Sequence, residues 1–362
     1  MRNPSTGVLG LQETAQLIAS LFHQERSIAP QEPDEEHNLP EGVTINPDIS
    51  PQNLREAKES RKFKLITAID GGSSTLLKSA GFQVGVARAA SVTYENLKLT
   101  DSVTTPEWII PSGEGIPIDT LKRLSDVIEI EIDPDPVWKG QTDKCRQILE
   151  FALMNDSLKQ TPNPDFILID GSLKPPDSVN PDLFNNCLRK AHRNGIVIMG
   201  VSKSSSLLWS ENCPLISKFT QMLREKNKGG IWYLRISDLV KGYSPDAHLI
   251  DIYLVNLYNG LAPALRLDIP SIYRKEADQI ISGLGAVSID PEFPGYPYPL
   301  AAAHRKTRIL PPRKTQLAQS IKDMVISLGI DKQILHSAFS DYHDILNADV
   351  PAEFLAIEND IF

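Results

Sequence analysis

Three carboxylates, far apart in the chain, have the residue types and settings that chemistry with a divalent cation requires. Asp70 closes the apolar run of "FKLITAID" and is followed at once by "GGSS"; Asp170 closes "FILID" and is followed by "GSL". Each pattern reads as a strand that ends at the aspartate with a tight turn beyond it. That leaves the carboxylate at the mouth of a sheet, where open α/β sheets place their ligands. If the two strands are neighbours, the anions repel unless a cation neutralises them, and hard oxygen donors suit magnesium or manganese. Glu150, in "RQILEFALM", has Ile148, Leu149 and Phe151 around it. A glutamate in such company sits at the edge of a helix face or against a partner charge. On a helix packed beside the two strand ends it would complete an acidic cradle. Each Asp-Gly-Ser taken alone is also an ordinary turn, and small residues after a strand equally suit the cradling of a phosphate.

Further along, Lys203 closes "IVIMGVSK" at the same edge as Asp170, placed to hold a phosphate as a point charge. In "PGYPYPLAAAH" the prolines fix the chain around Tyr296 and Tyr298 before a short apolar helix delivers His304. His304 stands roughly two helical turns beyond Tyr296, so imidazole and phenol can face one site. A basic run begins there: "HRKTRILPPRK" carries Arg305, Lys306, Arg308, Arg313 and Lys314 with no acid among them. Such a run is more often a solvated face than a binding site.

The elements that must position these groups follow from the composition and the periodicity. A chain of 362 residues, 41% of them hydrophobic, can bury a sizeable core in one large domain or two ordinary ones. The net charge of −9 argues against coating nucleic acid through an overall positive field. Cys145, Cys187 and Cys213 are too widely spaced for a CxxC pair and read as small buried hydrophobes. With no apolar run of membrane-spanning length and no leader-like N-terminus, the expected location is cytoplasmic, away from any membrane.

Residues 11–26 carry Leu11, Ala15, Ile18 and Phe22 at helical spacing, and 27–52 are acidic and proline-rich, as a linker would be. The expected organisation is a helix and linker over 1–54 and one elaborated domain over 55–362. Within it, runs 63–69, 82–90 and 97–110 read as three sequential antiparallel strands. Helical period over 142–155 and 181–193 then alternates with the strands "DFILIDGSL" and "GIVIMGVSK", which implies parallel pairing. Three more strand candidates, "IWYLRIS", "LIDIYLVNL" and "ALRLDIP", precede helices near 273–284 and 314–329. This is the chain order of a ribonuclease H-like α/β fold, a mixed sheet flanked by helices with helical additions.

Taken together, "AIDGGSS", Glu150, "DGSL", "GVSK", "RLDIP" and "GYPYPLAAAH" resemble the NurA nuclease family over about residues 60–310. The resemblance implies a ribonuclease H-like fold and a manganese-dependent nuclease, with magnesium as the alternative ion. The implied activities are single-strand endonuclease and 5′ to 3′ exonuclease cleavage, in the resection of DNA ends for recombinational repair. It also implies a homodimer and a hexameric HerA translocase as partner. The family's acids fall on Asp70, Glu150 and Asp170, and its tyrosine and histidine on Tyr296 and His304. Metal would be held by the three acids and His304, with Lys203, Arg305 and Lys306 offsetting DNA phosphate. One departure is the pair Gly71–Gly72 where the family commonly has a single glycine. Asp-Gly-Gly-Ser-Ser also resembles the phosphate loop of sugar kinases and actin-like ATPases, which makes a phosphotransferase the first alternative. A non-catalytic DNA-binding scaffold subunit is the second. No GxxxxGK[ST] loop is present, so ATP-driven movement would come from a partner.

Overall fold

The computed structural model describes residues 8–23, 44–45, 51–57, 63–79, 81–113, 119–132, 140–205, 207–210, 213–226, 230–236, 240–241, 249–260 and 262–339. The acidic segment 27–52 falls largely outside them. Eleven strands form one sheet: β1 (Val8–Leu9), β2 (Arg55–Glu56), β3 (Leu65–Ser79), β4 (Phe82–Glu95), β5 (Lys98–Thr104), β6 (Glu107–Gly113), β7 (Phe166–Asp170), β8 (Val197–Ser202), β9 (Trp232–Arg235), β10 (Ile250–Asn256) and β11 (Leu265–Pro270). Among the described residues nine α-helices lie against it: α1 (Leu11–His23), α2 (Asp119–Ile128), α3 (Gln141–Ser157), α4 (Pro181–Arg193), α5 (Leu215–Lys226), α6 (Ala277–Ala286), α7 (Tyr298–Thr307), α8 (Pro311–Ser327) and α9 (Lys332–Phe339).

The strand order is β1-β6-β4-β3-β7-β8-β11-β10-β9-β2, with β5 pairing β4 beside β6. At its centre β6, β4 and β3 are antiparallel and β7 and β8 run parallel to β3. That is the ribonuclease H-like arrangement, and the strands beyond β8 extend the same sheet in antiparallel fashion. The helices α2 and α3 lie between β6 and β7 in the chain, and α4 connects β7 to β8, whose parallel pairing requires such a crossover. Among the described residues no helix is long and apolar enough to cross a membrane.

Alternation along the central strands sorts the core into two faces. Ile69, Ile167 and Ile198 point to the face covered by α2, α3 and α4, where they meet Ile148, Leu149, Phe151 and Phe184. Ala68, Phe166, Leu168 and Met199 point the other way, to Ile280, Leu284, Leu300 and Ala303 of α6 and α7. Phe166, Ile167 and Leu168 are fully buried, each contributing about 1.5–3 kcal/mol. The amphipathic helix α1 packs Ala15, Ile18 and Ala19 against Leu317, Ile321 and Val325 of α8 and against Leu77, Val84 and Val86 of the long β3–β4 hairpin.

Two expectations need correcting. The first strand does not end at Asp70: β3 continues through Gly71, Gly72, Ser73 and Ser74 to Ser79, paired along its length with β4, with one irregularity near Leu77. What ends near Asp70 is its other neighbour, because β7 pairs only with Ile66–Ile69 of β3. The expected third strand over 97–110 is instead two, β5 and β6, both on the same edge of β4. The break falls at Thr105-Pro106, where proline has no N–H for the ladder and the Thr105 hydroxyl accepts a hydrogen bond from the amide of Ala89 at 2.9 Å.

Candidate active site

The parallel register of β3 and β7 sets Ile69 opposite Ile169, so Asp70 and Asp170 stand side by side and on the same face, the one covered by α7. The sequence of α7 delivers the rest. Pro297 and Pro299 start the helix, Leu300 and Ala303 bury its inner side, and His304 and Thr307, three apart, share the stripe facing Asp70. Nδ1 of His304 lies 2.9 Å from Oδ2 of Asp70, and the Thr307 hydroxyl donates to the same oxygen at 3.0 Å. Asp170 accepts from Nζ of Lys203 at 2.6 Å, and that ammonium sits 5.0 Å from the centre of the Tyr296 ring. The Tyr296 hydroxyl is buried near Asp170 without a well-formed hydrogen bond among the described residues.

One ligand atom each from Asp70, Asp170 and His304 lies within 4.8 Å of the other two. Asp70 is buried, and burial together with the charge of Asp170 holds its carboxyl above the usual carboxylate range despite the hydrogen bonds from His304 and Thr307. Burial first, then the negative charges of Asp170 and Asp70, push the Tyr296 phenol far up, so it is a neutral O–H donor. The cluster thus holds more negative charge than its own cations offset. Hard oxygen donors, one imidazole and a deficit of positive charge suit a divalent cation such as manganese or magnesium.

Glu150 reaches the same place from the opposite face of the sheet. It is buried, its carboxyl is pushed up to about 7 by burial, and the charges of Asp70 and Asp170 act on it in the same direction. Its partner is Arg146, one turn earlier on α3, whose Nη1 donates to Oε1 at 2.6 Å. Both side chains press on β3 where it has no side chain. A Cβ on Gly71 would stand 2.4 Å from Oε1 of Glu150 and 2.6 Å from Cγ of Arg146, while one on Gly72 would stand 2.1 Å from the carbonyl oxygen of Thr307. The two glycines therefore admit α3 and α7 to opposite faces of one strand, and they form no phosphate-cradling turn.

Beyond Asp170 the chain does turn, at Gly171 with φ +112°. The following loop crosses β8 at Gly200, where a Cβ would meet the Leu173 amide nitrogen at 2.6 Å. It is pinned by buried Asp268, which accepts from that amide at 3.0 Å and from Arg266 at 2.7 and 3.0 Å. The basic run after His304 divides into two roles. Arg313 is committed to Glu107 at 2.6 and 3.0 Å, beside Arg88 at 3.2 Å, and the Arg308 carbonyl accepts from Arg88 at 2.5 Å. Arg305 is half-exposed, bonded to Glu292 at 3.2 Å and 5.9 Å from the Phe293 ring centre, and Lys306 is exposed. Cys145 and Cys187 are buried free thiols.

The structure thus gathers Asp70, Asp170, His304, Tyr296 and Lys203, with Glu150 adjoining them under its arginine partner. Sequence reasoning missed Thr307, Arg146 and Asp268. Helical spacing would have exposed the first two, since Thr307 is three residues after His304 and Arg146 four before Glu150. Asp268 lies in the "RLDIP" block, but nothing local gives it a role, because its partners are the Leu173 amide 95 positions away and Arg266 of its own strand.

A family model described as a NurA domain matches residues 64–309. Among solved structures, the NurA nuclease from Sulfolobus solfataricus aligns over 88% of this chain and 95% of its own, at 17% identity and a TM-score of 0.47. Endonuclease V of Ciona intestinalis, in complex with a DNA 24-mer containing an inosine followed by a ribo-adenosine, aligns over 73% of this chain and 89% of its own, at 16% identity and a TM-score of 0.38. No curated protein sequence matches.

Proposed function

The chain belongs to the NurA family, and on that premise we propose that it is a divalent-metal-dependent DNA nuclease cutting single strands and trimming duplex ends from 5′ to 3′. The observation that carries this reading is the convergence of Asp70, Asp170 and His304 within 4.8 Å, with Glu150 adjoining. Asp70, Asp170 and His304 would hold the cation, and Glu150 would join them. A divalent ion there would supply Lewis acidity toward a phosphodiester oxygen and toward water.

The chain's own groups have separable roles. His304, whose Nδ1 faces Asp70, serves either as a cation ligand through its other ring nitrogen or, with that nitrogen free, as the group that holds or passes a proton close to the scissile linkage. Thr307 fixes the Asp70 carboxylate. Tyr296, kept neutral by its surroundings, donates a hydrogen bond or offers its ring to a base. Lys203 balances Asp170 and stands within reach of an incoming phosphate, and Arg305 and Lys306 extend that positive charge along the strand's path. The reading includes a homodimer, a HerA-type ATPase partner, manganese as the preferred ion, a cytoplasmic location and a place in end resection; family membership supports these. The phosphotransferase alternative loses its loop, because Gly71 and Gly72 lie inside β3.

The test is cleavage of 5′-labelled single-stranded and blunt duplex DNA by the purified chain with manganese, with magnesium and with EDTA. Cutting that needs the cation and disappears in Asp70→Asn is expected. Cation-independent cutting, or full activity in Asp70→Asn, would overturn the proposal.

A further inference from the structure

Arg146 lies outside the acid, tyrosine and histidine constellation, yet the strand beneath it is built around it. Gly71 is bare at the point where Cγ of Arg146 and Oε1 of Glu150 approach, so β3 gives up a side chain to let the Arg146 stem and its carboxylate partner lie at the sheet. Nη1 donates to Glu150 at 2.6 Å and Nε approaches Asp143 at 3.5 Å, and Asp143 in turn accepts from the Ser73 hydroxyl at 2.8 Å. The guanidinium is therefore held from two sides. Its remaining nitrogen, Nη2, makes no hydrogen bond among the described residues. Arg146 also lines the cleft that opens beside Asp170, together with Glu150, Ser172 and Lys174.

A side chain serving only to neutralise Glu150 would need no cleft exposure and no open donor edge. Arginine's planar fork can satisfy a carboxylate with one nitrogen and present the next to a second anion, which lysine cannot do in fixed geometry. Building on the nuclease reading, we propose that Arg146 is a substrate contact whose Nη2 donates to a non-bridging oxygen of the phosphodiester at or next to the cut. Glu150 and Asp143 act as its positioning groups. The ligand is a phosphodiester anion, recognised irrespective of base.

The test reads binding apart from cleavage. In EDTA, where no cutting is expected, affinity for a labelled 20-nucleotide oligothymidylate is measured from 50 to 200 mM salt for wild type, Arg146→Gln and Arg146→Lys. Because Arg146→Gln leaves Glu150 unpaired, a second comparison sets Glu150→Gln against Arg146→Gln/Glu150→Gln, in which neither charge is orphaned. Loss of Arg146 is expected to weaken binding about tenfold and to lower the salt slope by about 0.7, the value for one phosphate contact on a single strand. Arg146→Lys should keep the slope. With manganese, kcat of Arg146→Lys should fall by about 10² with KM little changed, because the aimed donor is lost. Unchanged affinity, slope and kcat in folded variants of an active nuclease would overturn the Arg146 assignment alone. A wild-type chain that neither binds nor cuts DNA would overturn the nuclease reading and this one with it.

Discussion

Replacing Gly71 by alanine tests how α3 and β3 build the site. The added Cβ would lie 2.4 Å from Oε1 and 2.9 Å from Cδ of Glu150, and 2.6 Å from Cγ of Arg146. Both side chains leave a helix whose inner face is anchored by Ile148, Leu149 and Phe151, so they must rotate away rather than move with the backbone. Overpacking of this kind costs about 1–3 kcal/mol. Breaking the 2.6 Å pair leaves a buried carboxylate short of its partner, for about another 1–3 kcal/mol. At roughly 1.5 °C per kcal/mol for a domain of about 300 residues, Tm should fall by about 3–9 °C. Cleavage at 25 °C, well below the lowered Tm, should fall by about 10² or more, because Glu150 and Arg146 are both displaced. Gly140→Ala is the control: its φ is +75° and nothing lies within 4 Å, so it carries a backbone cost without touching the site. Thermal melting in EDTA and manganese-dependent cleavage of 5′-labelled single strands measure the two effects. A Gly71→Ala protein that melts and cuts like wild type would refute the idea that the glycine exists to admit α3.

Glu150 should also leave a mark on stability. Its carboxyl is raised to about 7 from an ordinary 4.5, so the folded state holds the proton more tightly than the unfolded one. This contribution to stability must therefore decline as pH rises from about 4.5 to 7 and stay level above that. In EDTA, wild type relative to Glu150→Gln should lose roughly 2–3 kcal/mol between pH 4.5 and 8, read from urea denaturation; a difference independent of pH would contradict it. The basic run should separate by role. Arg313→Ala breaks the contact with buried Glu107 and should cost about 1–3 kcal/mol in denaturation. Arg305→Ala/Lys306→Ala should leave stability within about 0.5 kcal/mol and reduce the salt slope of single-strand binding by roughly 0.7 per cation lost. The opposite pattern would show that the two halves of the run had been assigned the wrong way round.

Much of the fold was legible because the central strands and helices carry strong, uninterrupted periods. "DFILID" and "IVIMGVS" are apolar on both faces, as parallel strands covered on both sides must be, and 181–193 has its helix start written as Asn180-Pro181. The order of those elements was enough to bring Asp70 next to Asp170. What misled was local chemistry at Gly71 and Gly72, where glycine in a strand and glycine in a turn have the same letters. Only the approach of α3 and α7, from 75 and more than 200 residues downstream, distinguishes the two. The positioning residues follow the same rule. Thr307 and Arg146 were readable from helical spacing once the site was known. Asp268 was not, because its role depends on where the loop after Gly171 comes to lie.

The most direct measurement is to locate manganese by anomalous scattering in crystals grown with the ion, alongside Asp70→Asn/Asp170→Asn as control. A peak ligated by Asp70, Asp170 and His304, absent from the control, is the expected result. Manganese bound elsewhere, or no peak between these three side chains in a protein that manganese activates, would contradict it.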